Sequence, residues 1–124
     1  MHIFNTLTEI ISSQQVTRAV LCATIRDMPR HYTEPREFVT VGGVWPHGPF
    51  EDDTPAYALA TAALVRNVEA GINDLGISNR ALSRASGLDA GSVSRLLAGH
   101  TIPDLATVVA LEIALDRDLW PDYR

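Results

Sequence analysis

The 124-residue chain has no lysine, a single cysteine, and no apolar run of the roughly 18 residues that a membrane-spanning helix needs. Each absence closes a class of explanation. Cys22 has no partner for an internal disulfide, and without a second cysteine or a histidine cluster at ligand spacing it cannot begin a zinc site. It reads as a small buried apolar residue. His2, His31, His47 and His100 share no metal-ligand spacing and read as single surface histidines. The basic-then-apolar layout of a signal peptide is missing from the N-terminus, so the expectation is a soluble cytoplasmic protein. No nucleophile elbow, phosphate loop, Cys/His pair or carboxylate pair in a glycine-rich context appears. Nothing therefore points to an enzyme, a cofactor or a metal.

What is present suffices for a core: 46% of the residues are apolar, enough for one ordinary domain or a small domain with an appendage. The formal charge of −5 is unevenly spread. Residues 1–50 balance arginines against acids, and residues 51–77 set Arg66 against Glu51, Asp52, Asp53, Glu69 and Asp74. Residues 78–101 reverse the sign, with Arg80, Arg84 and Arg95 against Asp89 alone, and residues 102–124 are acidic again. Every cationic residue is arginine, which reflects genomic composition as readily as a need for forked contacts to phosphate and guanine.

Three segments follow from the pattern. In residues 1–41, Leu7, Ile10, Ile11, Val16, Ala19, Val20 and Ala23 have helical spacing up to Pro29, while Glu37 to Val41 reads as a strand; one or two helices and a short strand are expected. Residues 42–53 are rich in Gly and Pro and read as a linker or an ordered surface loop without regular structure. Trp45 and Phe50 within it should pack on the domain that follows. From residue 54 the signals sharpen: Thr54 is a cap type, Pro55 suits a first turn, and Leu64, Val65, Val68, Ile72 and Leu75 form a stripe ended by Gly76, with Gly71 a tolerated weakness. Ser78, Asp89 and Asp104 cap three further helices, the first two halted by Gly87 and Gly99. The expected core of the four helices is Leu64, Val68, Ile72, Leu82, Leu88, Val93, Leu96, Leu105, Val108 and Leu115, with Leu88 almost fully buried.

Gly87-Leu88-Asp89 joins two short helices into a bihelical unit: glycine makes the sharp turn, Leu88 plugs the junction and Asp89 starts the next helix. The run from Leu75 to Gly99, with Pro103, Leu105, Val108, Leu111 and Leu115 after it, resembles the Cro/CI-type, lambda-repressor-like helix-turn-helix proteins of the XRE family. Leu119-Trp120-Pro121 is similar to the tail of the phage Ner-type relatives. The resemblance covers about half the chain. It implies a mainly α fold: a four-helix lambda-repressor-like helix-turn-helix domain over 54–124, preceded by a small α or α+β segment.

The resemblance further implies a recognition helix from Ala90 to about Ala98, whose exposed first residues enter the major groove of double-stranded DNA. Ala90, Gly91, Ser92, Ser94 and Arg95 are then the candidate readers: Arg95 forks onto guanine O6 and N7, Ser92 serves as donor or acceptor, and Ala90 meets a thymine methyl. Asn79 matches a family position that contacts backbone phosphate, and Arg80, Arg84, His100 and Thr101 are further phosphate candidates. The duller readings are solvated charges for Arg80 and Arg84, small exposed helix residues for Ser92 and Ser94, and a surface ion pair with an acid of another helix for Arg95. Transcription regulation by a phage repressor, Cro-like protein or host equivalent, nucleoid-associated when bound to DNA, is the leading implied function; an antitoxin that autoregulates its operon and grips a partner through residues 1–50 is the alternative. A homodimer is the other partner expectation.

Three departures from the family stand out. Glu112 takes a position that is usually a buried alanine, Ile113 takes one that is usually polar, and no room for a fifth helix remains after Pro121. Residues 1–50 are the expected substitute for that helix, packing near Ile113 or mediating self-association.

Overall fold

Capping chemistry places the helices. In the computed structural model, which describes residues 32–122, the elements are a 3-10 turn (Pro35–Phe38), strands β1 (Val39–Val44) and β2 (Gly48–Phe50), and helices α1 (Ala56–Leu75), α2 (Asn79–Ser86), α3 (Ala90–Leu97) and α4 (Leu105–Leu115). Ser78 Oγ accepts from Ala81 N–H at 3.0 Å, Asp89 Oδ2 from Ser92 N–H at 3.1 Å, and Asp104 Oδ1 from Thr107 N–H at 2.8 Å, so each of the three later helices has one orphan donor satisfied. Gly76 and Gly87 end α1 and α2 in the left-handed region, at φ 64° and 73°. The first helix starts one residue later than the Thr54 cap suggests. Thr54 gives its hydroxyl to the Glu51 carbonyl, and Pro55 itself, which has no N–H to satisfy, occupies the cap.

The chain divides between Tyr32 and Thr33, and the described part of the second unit is one compact body. The helices expected before Pro29, with Cys22, His2 and His31, lie outside the described residues. Within the second unit, Leu64, Val65 and Val68 of α1, Leu82 of α2, Val93 and Leu96 of α3, and Val108, Leu111 and Leu115 of α4 form one core with Leu119. Burying each such side chain contributes about 1.5–3 kcal/mol. Alanines 58, 62 and 63 are buried on α1 as well. Gly71 lets Leu115 and Arg117 come close: a Cβ there would lie 3.0 Å from both side chains, so this glycine is a packing device.

Three core expectations need correction. Leu105 is 67% exposed, since it begins α4 and burial along the helix starts only at Val108. Ile72 and Leu88 pack on the edge of the core and are only partly buried. Leu88 stays at the rim because the turn that carries it also carries exposed Gly87 and Asp89.

The Gly/Pro-rich segment is not structureless. It forms a β-hairpin in which Val39 pairs with Phe50 and Val44 with Gly48, with an irregular register between them. The ladder is short because Pro49 has no N–H to give and Gly42 and Gly48 take positive φ of 85° and 81°. Trp45 at the turn packs against the core and meets Phe50 edge-on at 6.3 Å, so the two aromatics behave as anchors. Arg66 of α1 donates to the Pro46 carbonyl at 2.8 Å and fixes the turn in place.

The tail after α4 folds back over the core, and the expected packing of residues 1–50 near Ile113 falls largely on residues outside the described ones. Leu119 is fully buried. Its N–H donates to Glu112 Oε2 at 2.9 Å, and its carbonyl accepts from Asn67 Nδ2 at 3.1 Å. Glu112 therefore serves as the acceptor that lets a buried backbone turn in over the core. Ile113 remains 75% exposed.

Candidate DNA-binding interface

The turn between α2 and α3 is held by the serines of α2. Ser83, itself buried, donates its hydroxyl to the Leu88 carbonyl, while Ser86 Oγ accepts from Leu88 N–H at 3.3 Å and donates to the Ser83 carbonyl at 3.1 Å. With Gly87 at φ 73°, these bonds satisfy both backbone polar groups of Leu88, while Gly87 N–H donates to the Arg84 carbonyl and the Asp89 carbonyl accepts from Val93. The turn fixes α3 relative to α2, and Asp89 then begins α3 with its cap.

Asn79, Arg80 and Arg84 on α2, and Ala90, Ser92, Ser94 and Arg95 on α3, are all exposed; Gly91, His100 and Thr101 are half-buried. The arginines sort into two groups. Outside the bihelical unit, Arg36 pairs with Glu34 at 2.8 Å, Arg117 with Asp74 at 3.0 Å, and Arg66 holds the Pro46 carbonyl. Inside it, Arg80, Arg84 and Arg95 make no ion pair among the described residues. Arg95 instead reaches Ser92 Oγ on its own helix at 3.4 Å. The bihelical unit thus presents net positive charge on an acidic chain, the condition for attracting phosphate.

Ser92, Arg95 and Thr101 share a cleft of about 230 Å³ with Asp104 and Thr107 between α3 and the start of α4. His100 is separated from this group by its partner: its Nδ1 lies 3.1 Å from Glu34 Oε2. Hydrogen bonding from Arg36, and then from His100, holds the Glu34 carboxyl below its ordinary value. Asp104 is likewise lowered, by its bonds to Thr107 in the helix cap.

Trp45 packs on the helical domain as its sequence suggested, but neither its hydrogen bond to the far end of α3 nor the part of Arg36 there was foreseen. Trp45 Nε1 donates to the Leu97 carbonyl at 3.0 Å and Arg36 N–H donates to the Gly99 carbonyl at 3.1 Å, so the hairpin turn and the 3-10 turn before it supply donors that a helix C-terminus needs. Gly99 at φ 80° makes room for this: a Cβ there would lie 2.6 Å from the Trp45 ring. The one available signal was an indole placed in an otherwise turn-rich stretch.

Residues 69–119 match the helix-turn-helix family, a span that takes in the last part of α1, all of α2, α3 and α4, and Leu119. No curated protein and no solved structure matches the chain. The bihelical geometry and the match define this segment as a helix-turn-helix DNA-binding domain of the kind transcription regulators carry. Over these residues, less than half of the chain, it is similar to the Cro/CI type of the XRE family. Among the described residues no helix is long and apolar enough to cross a membrane, and no cluster of three metal-ligating side chains occurs.

Proposed function

We propose that the chain is a sequence-specific regulator of transcription, of the phage-repressor or Cro kind or a host equivalent, that reads the major groove of double-stranded DNA with α3. One observation carries this: the three arginines of the bihelical unit form no ion pair among the described residues, while Arg36 and Arg117 are paired with acids and Arg66 is held by a backbone carbonyl. Arg95 is the principal base reader, with Ala90, Gly91, Ser92 and Ser94 beside it at the exposed start of the helix. Asn79, Arg80 and Arg84 at the exposed face of α2 meet phosphate and set the register, and Thr101 adds a contact next to Arg95. His100, engaged by Glu34, helps hold the end of α3 and reaches DNA only at its margin.

Selection of bound sequences from a random duplex pool, with the full chain as bait, tests the reading. Enrichment of a defined motif is the expected outcome, and a palindromic motif would mean that two copies bind together. Recovery of unenriched DNA would overturn sequence-specific recognition.

A further inference from the structure

We infer that Asp89, together with the gap left by Gly91, is a specificity determinant at the tip of α3: with Arg95 it selects a guanine adjacent to a base that presents an exocyclic amino group in the major groove. The inference rests on α3 being the recognition helix.

The tip of α3 holds opposite charges around an empty position. A Cβ on Gly91 would lie 2.9 Å from Asp89 Oδ2 and 3.1 Å from Arg95 Nη1, so the carboxylate and the guanidinium flank one point from two sides. They form no ion pair there. Asp89 Oδ2 is engaged by Ser92 N–H, and Arg95 Nη2 leans on Ser92 Oγ. Both residues are exposed, which leaves Asp89 with a further acceptor oxygen and Arg95 with further donors at the surface that meets DNA.

Each charge restricts what the groove must offer. The guanidinium needs acceptors, which guanine supplies at O6 and N7. The carboxylate needs a donor, and in the major groove the donors are the amino groups of cytosine N4 and adenine N6. Opposite thymine O4 or guanine O6, Asp89 would be desolvated against an acceptor and repelled by the phosphates, so the same side chain that caps the helix rejects wrong sites. Its charge also subtracts from the attraction of α3 to phosphate on any sequence. Gly91 is a poor helix former, but a side chain at that position would enter the space where the two groups converge and turn Arg95 away.

The test uses the full chain and three variants, each selected against a random duplex pool and then titrated against its motif and a scrambled duplex, with melting temperature recorded. Asp89→Asn and Asp89→Ser keep a capping side chain and remove the charge. Both should bind the scrambled duplex several-fold more tightly and keep the guanine; Asp89→Ser should lose the preference for cytosine or adenine next to it, and Asp89→Asn, whose amide pairs with adenine N6 and N7, should lose cytosine in favour of adenine. Gly91→Ala should melt no lower than wild type yet lose roughly tenfold in discrimination at the guanine, equivalent to about 1.4 kcal/mol. The enriched neighbour in the wild-type motif tells cytosine from adenine, and thymine or guanine there overturns the inference. Unchanged motifs and unchanged scrambled-duplex binding for both Asp89 variants would also overturn it, as would full discrimination by Gly91→Ala, in each case leaving the recognition role of α3 intact. A wild-type chain that enriches no sequence overturns both.

Discussion

Single residues in this domain repeatedly satisfy a backbone group that the fold would otherwise strand. Ser83 does so for the Leu88 carbonyl, Glu112 for the Leu119 N–H, and Trp45 for the Leu97 carbonyl. Glu34 differs, because it joins side chains: Arg36 and His100 both reach its Oε2. Its carboxyl is held below the ordinary value of 4.5, first by the Arg36 hydrogen bond and then by that of His100. A depressed carboxylate stabilises the fold above its unfolded pKa and loses that contribution as pH falls through the folded value. Glu34→Gln should therefore flatten the loss of stability on acidification below about 4.5 and leave the profile above that pH parallel to wild type, a contrast that denaturant melts at a series of pH values would register. Identical acid limbs for the two proteins would assign the acid sensitivity elsewhere.

At the level of elements, the 3-10 turn and the hairpin together hold the C-terminal end of α3, through Arg36 and Trp45 respectively. Trp45→Phe keeps an aromatic ring and removes the indole donor, leaving the Leu97 carbonyl without this partner. It should cost about 1 kcal/mol of stability, visible as a lowered denaturant midpoint at constant m. No shift in midpoint would mean that the bond is replaced by water at no cost. The four helices were legible in advance because caps and stops are local chemistry: Ser78, Asp89 and Asp104 act on donors three residues away, whatever the rest of the chain does. Burial was less legible, since helix phase alone put Leu105 inside, whereas its burial depends on tertiary neighbours that the first turn of α4 lacks. The hairpin was hidden by its own composition, because Gly42, Gly48 and Pro49 make an irregular ladder that reads as loop. Glu112 looked misplaced for the same reason: its partner, the Leu119 N–H, is brought to it only by the tertiary turn of the tail. Of the interface, the exposed start of α3 and the face of α2 could be read from the resemblance. The anchoring of His100 by Glu34 could not, as 66 residues separate the two.

For the whole molecule, the governing quantity is charge distribution. A chain of net charge −5 that leaves three arginines unpaired on one bihelical unit should attract DNA weakly in general and depend on base contacts for its affinity. With two or three phosphates met per domain, the logarithm of affinity should fall against the logarithm of salt with a slope of only about −2 to −3. The most direct measurement is the titration of wild type, Arg95→Ala and Arg84→Ala against the selected duplex and a scrambled one at several salt concentrations. Arg95→Ala should lose roughly 1–3 kcal/mol on the selected duplex and relax preference at a single base pair, whereas Arg84→Ala should weaken both duplexes alike and make the salt slope shallower by about one unit. Equal small losses for the two variants, with base preference unchanged, would contradict the assignment of Arg95 as the reader and of α3 as the recognition helix.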